Sequence, residues 1–140
     1  MSEKLDVVGI GNAMVDAIIP SNQSEIEKHE INRDSMNLID EGLKNNLHDS
    51  YSIREMAGGG SLGNSMFGIT SFGGNGSFIG KIKNDEIGIY LQKDMVREGL
   101  KFPLGFTSPD ISTGCCTIFV EEDGTRTMCT FLGAGTLIGP

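Results

Sequence analysis

Residues 57–64 read AGGGSLGN: three consecutive glycines, Gly58, Gly59 and Gly60, then Ser61, Leu62, a fourth glycine and Asn64. Each glycine loses more backbone freedom on folding than any other residue, so a run of them needs a cause. One reading is a flexible loop in which glycine is filler. The other is a helix start whose bare amides face a polar ligand. Gly59 and Gly60 would then let the ligand approach the backbone, and Asn64, one turn on, would add a donor and an acceptor. The residues after the glycines favour the second reading. Leu62, Met66, Ile69 and Phe72 recur at helical spacing, with Ser61 placed to cap the helix and Gly73-Gly74 to end it.

Working outward, Ser77 to Ile82 (SFIGKI) predicts a strand. Asn84 or Asp85 caps a second helix carrying Ile87, Leu91 and Met95, ended by Gly99. On the other side, Leu5 to Ile10 is a nearly continuous apolar run and reads as a strand buried on both faces. Val15 to Ile19 is a second strand, closed by Pro20. Residues 21–35 are polar and loop-like. Met36 to Ile39 is a brief third strand, and Asp40 caps a short helix reaching about His48. Strand, excursion, helix, strand, helix is an α/β pattern with crossover connections. Cys115 to Val120 and Thr127 to Leu132 flank Glu121-Glu122-Asp123-Gly124 and read as a hairpin, with no amphipathic element after it.

With 140 residues the chain has the length of one domain. Its 38% hydrophobic and 21% charged content argues for a folded chain rather than disorder. A net charge of −8 argues against a nucleic-acid backbone as partner. No apolar run is long enough to span a bilayer, and the N-terminus MSEKLDVVGIG lacks a signal-peptide pattern. Cys115, Cys116 and Cys129 are odd in number and form no CxxC, so neither a disulfide framework nor a zinc site is indicated. They read as core packing rather than chemistry. A cytoplasmic location is the expectation.

Two familiar glycine motifs fail. Gly9-Ile10-Gly11 follows a strand, but Met14 stands where a dinucleotide fingerprint needs a small residue. Gly80-Lys81 lacks the upstream glycine of a P-loop, and Ile82 replaces its Ser or Thr. Asn12 and Asp16 are more informative, because α/β sheets bind ligands beyond strand ends. Asp16, among Val15, Ala17 and Ile18, is either a solvated turn residue or a ligand contact. An ionised carboxylate only accepts, so its natural small-molecule target is a pair of hydroxyls.

Together these pieces resemble the PfkB, or ribokinase-like, family of sugar and nucleoside kinases, with the adenosine kinase-like branch nearest. DVVGIGNAMVD, MNLID, GGSLGN, SFGGNGSFIGKIKNDEIG and TGCCTIFVEEDGTRTMCTFLGA match in order across nearly the whole chain. The resemblance implies a doubly wound α/β domain with a small β-sheet lid. Residues 1–140 would be its N-terminal part, with lid strands at about 15–39 and 114–132. It also implies that Asp16, Gly59, Gly60 and Asn64 line a sugar site, with Asn12 and Ser61 beside them, and that Met36, Leu132 and Ala134 surround the substrate. Leu62, Met66 and Lys83 depart from residues usual in the family and bear on pocket shape. Lid sheets in the family also pair between subunits, which implies a route to a homodimer.

The family's GAGD segment, which carries the catalytic Asp and the anion hole, does not occur here: Gly133-Ala134-Gly135 is followed by Thr136. The expectation is an ATP- and Mg2+-dependent kinase whose acceptor site and lid lie in this chain, with no catalytic or nucleotide-binding residue among them. The rivals are a polyol-binding module without catalysis and a lid or dimerisation module. Residues 1–140 alone are therefore expected to show no ATP-dependent phosphorylation of any sugar or nucleoside, since positioning and charge stabilisation carry that reaction. Product above background from the purified fragment would refute this.

Overall fold

The computed structural model describes residues 4–139. The chain enters through β1 (Val7–Ile10) and turns at Gly11 and Asn12 into β2 (Met14–Pro20). Next come α1 (Gln23–Glu27), β3 (Met36–Leu38), α2 (Glu41–Ser50) and β4 (Glu55–Gly59). The glycine run leads into α3 (Ser61–Ser71), β5 (Gly76–Ile79) and β6 (Ile82–Lys83). Then come α4 (Glu86–Arg97), β7 (Phe106–Ser108), β8 (Gly114–Val120), β9 (Arg126–Phe131) and a 3-10 turn at Gly133–Leu137.

The main sheet has five strands in the order β3-β9-β8-β2-β4. The predicted hairpin forms it together with the excursion: β8 and β9 are antiparallel, and β2 runs parallel to β8, with Asp16 opposite Cys116. Separately, β1 pairs in parallel with β5, and β6 with β7. One core cluster, with Phe78, Leu91, Met95 and Met66, gathers α3 and α4 on β5 and β2. A second, with Ile19, Ile26, Leu47, Phe119 and Cys129, packs α1 and α2 on one face of the five-stranded sheet. Burying each such side chain contributes about 1.5–3 kcal/mol.

Several local expectations hold. Asp40 caps α2 through Leu43 N–H at 2.8 Å, and Asp85 caps α4 through Gly88 N–H at 2.8 Å. Gly73 and Gly99 end their helices at φ of +85° and +86°. Others are corrected. Residues 21–35 contain α1, started by a capping box in which Asn22 accepts from Glu25 N–H and Glu25 accepts from Asn22 N–H. Gly60, at φ +78°, and not Ser61, is the N-cap of α3, and it provides no side-chain cap. Phe72 is 95% exposed because the helix ends there, so the apolar stripe stops at Ile69. The strand expected over 77–82 is broken at Gly80-Lys81 into β5 and β6. After the hairpin comes a short 3-10 turn at Gly133–Leu137, and no amphipathic element follows it among the described residues.

The largest correction concerns β1. Its apolar run predicts burial on both faces, yet Val7, Val8 and Ile10 are 38%, 50% and 64% exposed. Among the described residues its only strand partner is β5, so its outer edge is unpaired. Exposed apolar residues on an open edge invite pairing with another chain. Residues 1–140 in isolation are expected to self-associate, and sedimentation should show species above 15.0 kDa that grow with concentration. A clean monomer with a sharp unfolding transition would count against this.

Candidate functional site

The three glycines each have a separate reason. A Cβ on Gly58 would meet Phe67 Cζ at 2.7 Å and Asp94 Oδ2 at 2.8 Å, on the side where α3 and α4 pack. A Cβ on Gly59 would collide with the carboxyl group of Asp16. Gly60 takes the left-handed φ of +78° that turns β4 into α3. Successive residues of a strand face opposite ways, so Gly58 admits the scaffold and Gly59 admits Asp16.

Asp16 lies in the middle of β2, paired with Ala57 on one side and Cys116 on the other. Its face of the sheet is opposite that covered by α1 and α2. Burial raises its carboxyl pKa above the ordinary value. No residue among those described donates a hydrogen bond to it or pairs with its charge. A half-buried carboxylate held over a glycine and left unpartnered is ready to accept from a ligand. The first turn of α3, with amides uncapped by any side chain, begins beside it.

Gly59 lies against Asp16, and Gly60, Ser61 and Asn64 follow it from the end of β4 into the first turn of α3. Asn64 is exposed, and its backbone N–H donates to Gly60 C=O at 3.0 Å. Ser61 is exposed at the first position of α3. Asn12 is exposed and packs against Gly135 in the 3-10 turn. Met36 is exposed on the edge strand β3, two strands beyond β8. Leu132 is half-buried, whereas Ala134 is fully buried and presents no surface.

Sequence reasoning missed the row across the sheet. Asp16, Cys116, Thr130 and Leu38 are successive register partners and share one face. Thr130 Oγ1 donates to Cys116 Sγ at 3.4 Å. Thr130, Leu38 and Leu132 also border a cleft of about 310 Å³. Neither CCTIFV nor TMCTF alternates cleanly between apolar and polar residues, and pairing across strands is not written in either segment alone.

On the opposite face a cleft of about 590 Å³ lies between α2 and the start of α4, lined by Lys44, His48, Asp85 and Ser112 among others. It does not include Asp16. There His48 Nε2 is 2.9 Å from Thr117 Oγ1 and 3.9 Å from Cys115 Sγ, a proximity invisible in the sequence. Burial pushes the Cys115 thiol up to about 12, and burial, then the charge of Lys44, pushes His48 down. Both groups are neutral at physiological pH, so they do not form a thiolate–imidazolium pair. No group of metal-ligating residues exists among those described. No helix among them is long and apolar enough to cross a membrane.

Residues 4–137 match the model of the pfkB family carbohydrate kinases, and the chain belongs to that family. Its fold is ribokinase-like. It is similar to the adenosine kinase from Sinorhizobium meliloti, at 36% identity and a TM-score of 0.86, over 99% of this chain and 42% of that one. It is also similar to a probable sugar kinase from Rhizobium etli CFN 42, at 33% identity and a TM-score of 0.84, over 97% and 41%. Anopheles gambiae adenosine kinase, in complex with P1,P4-di(adenosine-5) tetraphosphate, shares the fold at 23% identity and a TM-score of 0.82, over 95% and 41%. The chain thus spans about two fifths of the length of these structures. A search of curated proteins finds no match.

Burial also raises Cys116, and Cys129 to about 11. All three thiols are therefore expected to resist Ellman's reagent at pH 8 in the native protein and to react fully in denaturant. Rapid native reaction of Cys115 or Cys129 would contradict this packing.

Proposed function

We propose that this chain supplies the acceptor site and lid of an ATP-dependent kinase that phosphorylates a hydroxyl of a sugar or nucleoside. The observation that carries the proposal is Asp16: half-buried, unpartnered, and set over a glycine that admits no side chain. Two neighbouring hydroxyls of a polyol would satisfy its oxygens. The absence of a Cβ at Gly59 is what lets the Asp16 carboxyl group lie there, and Asn64 and the first amides of α3 offer further polar contacts. Membership of a carbohydrate-kinase family supports phosphoryl transfer as the reaction. ATP and Mg2+, the catalytic base and the anion site are assigned to the complete enzyme, outside these residues. We place the enzyme in the cytoplasm, with a small molecule rather than a nucleic acid as substrate.

The same face favours a nucleoside over a free sugar. Neighbouring strands lie about 4.8 Å apart, so the row from Asp16 to Thr130 extends about 10 Å, the length of a nucleoside rather than of a monosaccharide. Ile118 and Met128 share that face and offer apolar surface to a flat base. In the rival reading, Met36 and Leu38 on the exposed edge strand pair the lid with a second copy.

In the full-length protein, Asp16→Asn is expected to cut kcat/KM for the acceptor about a hundredfold or more. Each hydrogen bond to a charged group contributes roughly 1.5–3 kcal/mol, and about 1.4 kcal/mol is a factor of ten. The KM for ATP should barely move. Because burial raises the Asp16 pKa above 3.8, its contribution to stability is fullest at acid pH and is lost as pH rises through the raised value. Asp16→Asn should therefore raise the melting temperature at pH 7 while lowering activity. Steady-state kinetics and thermal unfolding check both, and near-normal kcat/KM would remove Asp16 from the site.

A further inference from the structure

Strand β4 is at the edge of the five-stranded sheet, and among the described residues β2 is its only strand partner. Two of its outward-facing backbone groups are nevertheless occupied. Asp94, on α4 and only 5% exposed, accepts from Gly58 N–H at 2.8 Å. Tyr90, one helical turn earlier, donates its hydroxyl to Met56 C=O. Residues two apart in a strand turn their backbone groups to the same side, so these two contacts occupy the side of β4 facing away from β2. Arg97 donates to the other carboxylate oxygen of Asp94. Two side chains spaced i, i+4 on one helix thus take the place of a further strand. The residue after Gly58 is Gly59, which lies against Asp16, and the next is Gly60, where α3 begins.

We propose that Asp94 and Tyr90 are positioning residues for the acceptor site: they hold the outer edge of β4 so that Gly59 and Gly60 stay in place against Asp16. This rests on the reading of Asp16 as the acceptor contact. Gly58 belongs to the same device, because any side chain there would displace both Asp94 and Phe67. Losing the clamp frees the end of β4 before the ligand arrives, and the ligand must then restore the geometry itself. That cost falls on binding and not on the chemical step.

The test uses the full-length protein, with ATP as donor and the best of adenosine, ribose and fructose as acceptor. Asp94→Ala is expected to raise the acceptor KM by about tenfold or more, leaving kcat and the KM for ATP within about threefold. Asp94→Asn keeps an oxygen for Gly58 N–H and should return the acceptor KM to near the starting value. Amide exchange at Gly58 should quicken in Asp94→Ala and recover in Asp94→Asn. A merely structural role would lower apparent kcat through loss of folded enzyme with the acceptor KM unchanged, and that outcome overturns the proposal. If Asp94→Ala does not fold, Tyr90→Phe decides: a severalfold rise in acceptor KM supports the clamp and an unchanged KM overturns it. Asp16→Asn, measured alongside, separates the two claims. Near-normal kinetics there overturn the acceptor site and the clamp together. A crippled Asp16→Asn beside unaffected Asp94→Ala and Tyr90→Phe overturns the clamp alone.

Discussion

The structure turns on the contact between the Asp16 carboxyl group and the bare backbone of Gly59. It requires β2 and β4 to be paired in one register, Met14 opposite Gly59 and Asp16 opposite Ala57. A slip of one residue would turn Asp16 to the face covered by α1 and α2 and leave a charge in the core. Everything around the pair serves that register. Val15, Ala17 and Ile19 are fully or almost fully buried on the far face, so the alternation of β2 has one acceptable setting. Gly58 lets α4 reach the outer edge, and Gly60 starts α3 where the strand ends.

The same contact is a local cost. A carboxylate half removed from water, with no cation or donor beside it, is less stable there than in the unfolded chain. The surrounding packing tolerates this because it is dense and lies elsewhere. Two separate apolar clusters, one under α3 and α4 and one under α1 and α2, flank the strand that carries the charge. That imbalance, a half-buried carboxyl group with no partner among the described residues, is the ground on which a partner from outside is proposed for Asp16.

Much of this was legible in the chain. Asp40, Asp85, Gly73 and Gly99 announced helix ends by chemistry that operates within a few residues, and the hairpin announced itself through Asp123-Gly124 between apolar runs. The glycine run was legible as a place of close approach, and Asp16 as a carboxylate in apolar company. What was hidden depended on distant partners. β4 reads EMAGG, with little strand propensity of its own; pairing with β2 makes it a strand. Ser61 looked like a cap, but the positive φ falls on Gly60, a choice made by the turn and not by the side chain. Tyr90 and Asp94 each stand one position before a residue of the apolar stripe Leu91 and Met95 of α4, and nothing near them in the chain says which backbone groups of β4 they meet. β1 was misjudged because an apolar run states what it can bury, not what is present to cover it.

The parallel pairing of β2 with β8 has a consequence for how the chain comes to be folded. Met14 lies opposite Gly114, a partner about a hundred residues further along. At about 5–20 residues per second of synthesis, β2 leaves the ribosome roughly 5–20 seconds before that neighbour exists. During that interval β4 is the nearest strand available to it, and the edge later occupied by β8 is open. Val15, Ala17 and Ile19 would then be apolar, β-prone and unpaired, the combination that chaperones bind and that misassembly exploits. The strand that carries Asp16 is thus among the first to be made and among the last to be enclosed.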